Sequence, residues 1–460
     1  MTLLNPNQAK LFLFLEGLVA VSIQFLFLRL LIPYVGSSVV VTSIVITLFL
    51  AALAGGYEMG GKVLKNHQQV LQRNLRVAAL FLGFGGSMLM VDAFFSITPL
   101  PPILQLFIFC TLFMVPTTFL IAQTVPLLIN FLGDQNAAHL AGSALKWSTI
   151  GNVFGGLVTT LVIMYWLGFA WAITLNALLL ATLSFILNTD KFDFNQNSIF
   201  VGLLALMIWL NLGYEQHIFV KSTAYANYQI LHDDKEGRYF INNRSNASYT
   251  NPQGKTHAYA RFVRDNLFET HKMHDKNILV LGAGGFTLSQ KQPYKNKFTY
   301  VDIDGQIADV ARNHFLHDGK INGQFVAQDG RAFLRNTTKQ WDVIIVDAFT
   351  NRHDTPWHLS TVEFFQSLRT RLVDDGILVI NLLASPRMND PYSKRMDNTI
   401  RSVFPSCHSN LIVRDRHNKP VGAAKLMGVV YTCYAQANEH DKTRYHDDNT
   451  QITIDSFKLK

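Results

Sequence analysis

Three aspartates and a glycine turn, each ending a short apolar run, carry the chemistry this chain could perform. Asp302 closes "FTYVD", Asp329 follows "QFVAQ" and Asp347 closes "WDVIIVD". A fourth run, "NILVL" from Asn277, opens into Gly282, Gly284 and Gly285. Apolar runs that end in Gly or Asp are how a doubly wound α/β sheet presents ligand-binding groups at its carboxyl edge. Asp302 lies 20 residues after Gly282. That spacing suits a glycine turn passing close to a nucleoside and a carboxylate accepting hydrogen bonds from its ribose hydroxyls. One such turn would be a weak signal. Four in phase on one segment are a strong one, against the bland reading of Asp302 and Asp347 as strand-end caps.

The elements that must position these residues lie in the second half of the chain, behind a segment of different composition. Residues 1–215 hold 8 Lys/Arg and 7 Asp/Glu, while the other 245 hold 32 and 25, so the net charge of +8 divides as +1 and +7. Hydrophobic content is 49%, with 34 Phe, high for a soluble enzyme. Apolar runs able to cross about 30 Å of hydrocarbon recur near Leu11–Ile32, Val39–Met59, Val77–Ile97, Ile103–Leu128, Trp147–Leu167, Trp171–Leu187 and Ile199–Tyr214, the last being the shortest. The first is too long for a signal peptide. Gly55, Gly56, Gly60, Gly61, Gly151, Gly155 and Gly156 suit close helix packing. Pro116 and Pro126 could kink their span. Glu16 and Asp92 are ionisable groups at membrane depth and open a functional question; Arg29 and Glu58 suit snorkelling to the interface. Lys62, Lys65, Arg73 and Arg76 assign the loop between spans two and three to the cytoplasm. Counting seven spans from there puts the carboxyl-terminal domain outside, whereas a cytosolic nucleoside donor requires it inside. The expectation adopted is a multi-pass inner-membrane protein with a cytoplasmic catalytic domain, the short seventh span lying along the interface.

Residues 1–215 are thus read as a transmembrane helical domain, 216–250 as a small β-unit with a hairpin over Tyr225–Asn242, 251–437 as the α/β domain and 438–460 as a polar tail. Helices are expected after each strand, as over Gln306–Phe315 and Thr361–Leu372, and again near Tyr392–Val403. Terminal strands are expected at Ser409–Val413 and Leu426–Tyr434. Cys110, Cys407 and Cys433 give neither a disulfide framework nor a zinc signature, and no metal or nucleic acid is expected.

"YQ" at Tyr228 and Gln229, the glycine turn, "VDIDGQIADVARNHF", "QDGRAFL" and "WDVIIVDAF" together resemble the spermidine/spermine synthase family. Span one and "KWSTIGNVFGGLVTTLVIMYWLGF" resemble the membrane stretches of bacterial proteins in which a multi-span region is fused to a spermidine-synthase-like domain. The resemblance implies a Rossmann-like methyltransferase-type fold. It implies that Gly282 and Gly284 line the methionyl end of S-adenosylmethionine or its decarboxylated form, that Asp302 binds ribose, and that Asp329 with Gly330 contacts adenine. Asp347 would be the catalytic acid-base group. Gln229 would lie at the cofactor, and Tyr228 and Tyr259 at the amine pocket. A small-molecule amine or other acceptor and the lipid bilayer are the implied partners, with a homodimer left open.

Two departures bear on the reaction. The family's glycine turn carries an acid that "GAGGFT" lacks, and the acid three residues after Asp347 is replaced by Thr350. Both absent carboxylates would face ammonium groups, which are costly to bury without a counter-charge. Asp354 could substitute as a substrate-binding group, and Trp357 and His358 lie close by. Polyamine aminopropyl transfer is the leading reading. Methyl transfer from S-adenosylmethionine is the alternative, and a transporter or sensor with a non-catalytic nucleoside domain is the third.

Overall fold

The computed structural model describes residues 6–36, 38–132, 137–187, 194–270, 272–291, 294–348, 356–412 and 427–434. The chain divides into two compact units, residues 1–35 with 41–224, and residues 36–40 with 225–460.

Six helices of the amino-terminal half are long and apolar enough to cross a membrane: Asn7–Val35, Val39–Gly61, Pro102–Phe131, Ala138–Trp166, Phe169–Ile186 and Asn197–Ile218. His67–Gly85 and Met88–Ile97 qualify together as a seventh, bent by 63°. The bend is a built cap: Ser87 Oγ accepts from Met90 N (3.3 Å) and Gly86 N donates to Leu82 O (2.8 Å). The seven coincide with the seven apolar runs. The seventh reaches Ile218, so the expected boundary at residue 215 falls inside a helix. Most of the expected glycines pack closely, though a Cβ on Gly61 would meet nothing within 4 Å. A Cβ on Gly17, Gly151 or Gly155 would fall on the carbonyl of Ser148, Phe14 or Leu18, so the first and fifth spans touch backbone to backbone. Arg29 does not snorkel. It is buried, and its Nε and Nη2 donate to Thr223 O at 3.0 and 2.9 Å, because a guanidinium withdrawn from water needs acceptors in place. Glu58 is exposed and paired with Lys62, as an interfacial residue would be. Glu16 accepts from Ser148 Oγ (3.2 Å) and Asp92 from the Tyr34 hydroxyl (2.5 Å).

A four-stranded antiparallel sheet comes next along the chain: β1 (Lys221–Ser222), β2 (Asn227–His232), β3 (Arg238–Asn242) and β4 (Ser245–Thr250). The expected hairpin is β2–β3, its turn closed by Asp233 N to Gly237 O (2.9 Å) and Gly237 N to Asp233 Oδ1 (2.7 Å). β1 and β4 enlarge it beyond the sequence expectation.

Seven further strands form the main sheet: β5 (Asn277–Leu281), β6 (Lys297–Asp302), β7 (Gln324–Ala327), β8 (Trp341–Val346), β9 (Leu372–Ala384), β10 (Ser406–Ile412) and β11 (Met427–Tyr434), in the order β10-β11-β9-β8-β5-β6-β7. β7, β6, β5, β8 and β9 run parallel, β11 pairs antiparallel with β9, and β10 pairs antiparallel with β11. Alternate residues feed two cores. Ile278, Val280, Val343 and Ile345 face one; Leu279, Leu281, Ile344 and Val346 face the other. Burial on both faces explains why these strands read as unbroken apolar runs. The strand order reverses between β5 and β8, and there the carboxyl ends leave a crevice.

Two expectations need correction. The helix expected after β5 is reduced to the single turn Thr287–Ser289. Just before it, Phe286 takes a left-handed conformation (φ 59°) and is fully buried edge-on to Tyr300, so the chain dives into the core instead of winding above it. The cysteines are not all unpaired: Cys407 and Cys433 are cross-strand partners on β10 and β11 and form a disulfide. A separation of 26 residues carries no recognisable spacing, because strand register brings the two together. Asp354, and the tail from Asn438, lie outside the described residues.

Candidate active site at the carboxyl edge of the sheet

The glycine turn is forced by its neighbours. Gly282 N donates to Val301 O (2.9 Å) and Asp347 N to Leu281 O (2.8 Å), so the turn is tied to both flanking strands. Gly282 has φ +95°, and a Cβ there would collide with the Asp347 carbonyl. Gly284 is also left-handed (φ +50°). Gly285 N donates to Ser248 Oγ at 2.9 Å, so β4 of the small sheet buttresses the turn. These residues leave main chain, not side chains, facing the crevice.

Asp302 sits beside that turn at the end of β6. Its Oδ2 accepts from Ala283 N (2.9 Å) and its Oδ1 from Asp304 N (3.0 Å). Burial, with the Asp304 charge adding to it, pushes the carboxyl up to about 6 against the lowering effect of those two N–H groups. Asp304, which sequence reasoning did not single out, is buried and accepts from the Tyr228 hydroxyl (2.8 Å) and Gln306 N (3.0 Å). Tyr228 therefore does not line an amine pocket as expected. It is 1% exposed, tilted against Phe240, with its hydroxyl directed at Asp304. Gln229 is half-buried on the opposite face of β2, away from that contact.

Asp329 caps the helix Gly330–Asn336, its Oδ1 accepting from Ala332 N (2.8 Å). Its Oδ2 lies 2.9 Å from His358 Nε2, and the hydrogen bond from His358 holds the carboxyl below its usual range. A Cβ at Gly330 would meet only Leu281, at ordinary contact distance, so the floor beside Asp329 is open.

Asp347 emerges from β8 between the glycine turn and β9. Its Oδ1 accepts from Asn381 Nδ2 at 2.8 Å. Asn381 is a polar residue inside the apolar run "GILVINLLA" of β9, and that interruption was the available signal for it. Tyr259 is 7% exposed, and its hydroxyl has no hydrogen-bond partner among the described groups. Burial, then the nearby Asp347 charge, raises the Tyr259 phenol well above its ordinary value, so it stays a neutral donor. The structure thus gathers Gly282, Gly284, Asp302, Asp329, Gly330, Asp347 and Tyr259 at one sheet edge, and adds Asp304, His358 and Asn381. The arrangement can hold a nucleoside by its ribose and base, and it sets a carboxylate and a phenol where a reacting group would lie.

Residues 256–414 match the family described as spermine/spermidine synthase domain. A probable polyamine aminopropyl transferase of Bifidobacterium longum is 34% identical over 128 residues, covering 28% of each chain. An N-terminal histidine N-methyltransferase of Emericella nidulans is 28% identical over 316 residues, covering 63% of this chain and 54% of that one. A share of 63% of 460 residues is about 290, more than the 236 from Tyr225 onward, so this second match extends into the helical unit. The chain spans about a quarter and about half of the length of these two relatives. A probable spermidine synthase from Corynebacterium glutamicum aligns with TM-score 0.39 and 19% identity over 46% of this chain and 77% of its own.

Proposed function

We propose that the chain is a membrane-embedded transferase that moves a carbon group from an S-adenosyl sulfonium donor to a nitrogen acceptor, with aminopropyl transfer as the leading reaction. The observation that carries the reading is Asp347, fixed by Asn381 beside the neutral Tyr259 hydroxyl, at the strand-order reversal flanked by Asp302 and the glycine turn. In this reading the acceptor amine attacks the carbon next to the sulfonium. The carbon–sulfur bond breaks, its electrons stay on sulfur as a neutral thioether, and the amine proton passes to Asp347. Tyr259 donates to the carboxylate or orients the amine. The relative named polyamine aminopropyl transferase supports this assignment.

Methyl transfer is the second reading, and specific observations favour it. The turn from Gly282 to Phe286 presents no acid, and Phe286 is spent on the core, so nothing in the turn singles out a decarboxylated donor. The match to the histidine N-methyltransferase also continues into the helical unit. An imidazole acceptor would suit Asp347 equally, since a carboxylate can take the imidazole proton as nitrogen attacks the methyl carbon. Purified full-length protein given either donor, with a polyamine or a peptide bearing an amino-terminal histidine, decides by product mass. An aminopropylated polyamine supports the first reading, a methylated peptide the second. No transfer to either, with intact nucleoside binding, would overturn both.

A further inference from the structure

The contact between His358 and Asp329 belongs to neither the cap nor the sheet. An aspartate that caps a helix needs one oxygen, and Oδ1 of Asp329 does that work through Ala332 N. The other oxygen, Oδ2, is held by His358 Nε2 at 2.9 Å. His358 is itself fixed from two sides. Arg331 Nη1, one residue into the capped helix, donates to His358 O (3.1 Å), and the Trp357 ring stands edge-on to the imidazole, centroids 5.8 Å apart. Trp357 packs against the core cluster that holds Val346 and Leu281. Both partner side chains are about one-third exposed, so the pair opens toward solvent or ligand and is not sealed inside. As a stability device it would be weak, since water screens a partly exposed pair. Three separate restraints on one histidine ask for another explanation.

We propose that His358 is a positioning residue that sets the purine preference of the nucleoside subsite, by holding the Asp329 carboxylate so that it accepts from an exocyclic amino group. This rests on the reading given above, in which Asp329 and Gly330 face the base. A carboxylate oxygen has two lone pairs. With one engaged by the imidazole and the sister oxygen by the cap, the carboxylate plane cannot rotate, and a remaining lone pair keeps a fixed direction. A 6-amino purine offers a hydrogen there. A 6-oxo purine sets oxygen against oxygen and leaves both unsatisfied, which costs at least a factor of about ten in affinity. A carboxylate free to turn would soften that penalty.

The test is calorimetric binding of S-adenosylhomocysteine and of its 6-oxo counterpart, S-inosylhomocysteine, to the full chain in detergent. The parent protein should prefer the amino form at least tenfold. His358→Ala should reduce the preference to within about threefold, largely by improving relative binding of the 6-oxo form, and His358→Gln, whose amide can still donate to the carboxylate, should restore it. Asp329→Ala serves as the control for the site itself. A preference that survives His358→Ala but disappears in Asp329→Ala overturns the role of His358 and leaves the nucleoside site standing. If Asp329→Ala changes neither affinity nor preference, the base lies elsewhere and the site reading fails. Thermal melts of each variant without ligand show whether folding, which would move both affinities together, accounts for any change.

Discussion

Asp347→Asn separates catalysis from binding more cleanly than any other single change, because the contacts that hold residue 347 are mostly main chain. Asp347 N donates to Leu281 O, and the carbonyl of Asp347 fills the space that a Cβ on Gly282 would need. Both features survive the substitution. The oxygen that accepts from Asn381 survives too, because an asparagine carbonyl can take the same 2.8 Å hydrogen bond from the Asn381 amide. What is lost is the negative charge and the proton acceptor. A positioned general base contributes roughly 10²–10⁴-fold to rate, equivalent to about 3–5 kcal/mol of barrier. Nucleoside affinity rests on Asp302, Asp329 and the glycine turn, so methylthioadenosine should bind within severalfold of the parent by calorimetry. Single-turnover transfer from the sulfonium donor, followed by product mass, should fall at least a hundredfold. Full turnover in Asp347→Asn would refute the proton-transfer role and point to an acceptor that needs no base. Lost nucleoside binding would show instead that the carboxylate belongs to the donor subsite.

Asp302 should make nucleoside binding pH-dependent. Only the ionised carboxylate accepts from two ribose hydroxyls, and its carboxyl lies up at about 6. Affinity should therefore be full above that value and fall by up to tenfold per pH unit below it; Asp302→Asn should bind weakly and flatten the profile, and a profile unchanged by the substitution would dissociate the effect from Asp302. Tyr259→Phe should separate stability from rate: removing a buried hydroxyl without a partner leaves the melting temperature equal or higher, while turnover drops at least tenfold. A lower melting temperature would reveal a hydrogen bond that the phenol makes. Gly282→Ala combines a left-handed backbone with a clash on the Asp347 carbonyl, and should destabilise the soluble unit by about 1–3 kcal/mol in denaturant unfolding; an unchanged midpoint would mean the turn relaxes freely. A reporter active only outside the cytoplasm, fused after Lys460, should be silent if the expected cytoplasmic placement holds, and strong activity would overturn it.

The parallel sheet was legible because burial on both faces writes itself as uninterrupted apolar runs, and because the crevice residues follow directly from strand ends. Asp302, Asp329 and Asp347 each stand at such a strand end. The residues that escaped act across long separations. Asn381 meets Asp347 only because β9 lies beside β8, and Ser248 reaches the glycine turn from the other sheet. Tyr228 shows the opposite error. A motif tyrosine looked like a pocket residue, yet a phenol with its ring in the core and its hydroxyl on Asp304 serves the loop that carries Asp302. The disulfide could not be read either, since antiparallel register, not spacing, pairs Cys407 with Cys433.

That disulfide bears on the conflict between the two ways of orienting the chain. The positive loop between the second and third spans and a count of seven crossings put the soluble unit outside. The demand for a cytosolic donor put it inside, at the expense of the last span. Asn197–Ile218 is 22 residues long, enough to cross, and the count is six, or seven with the bent pair taken as one span. Disulfides persist in oxidising compartments and are rare in the cytosol. Charge bias and span count make one argument, since neither orients the domain without the other, and thiol chemistry is a second; both stand against the cofactor argument for the cytoplasm. On an extracytoplasmic reading the S-adenosyl donor would have to be delivered across the membrane. On that reading alone the acceptor would be a molecule on the far side, such as an exported polypeptide with a nitrogen nucleophile, whereas the cytoplasmic placement keeps a polyamine; the reporter fused after Lys460 separates the two.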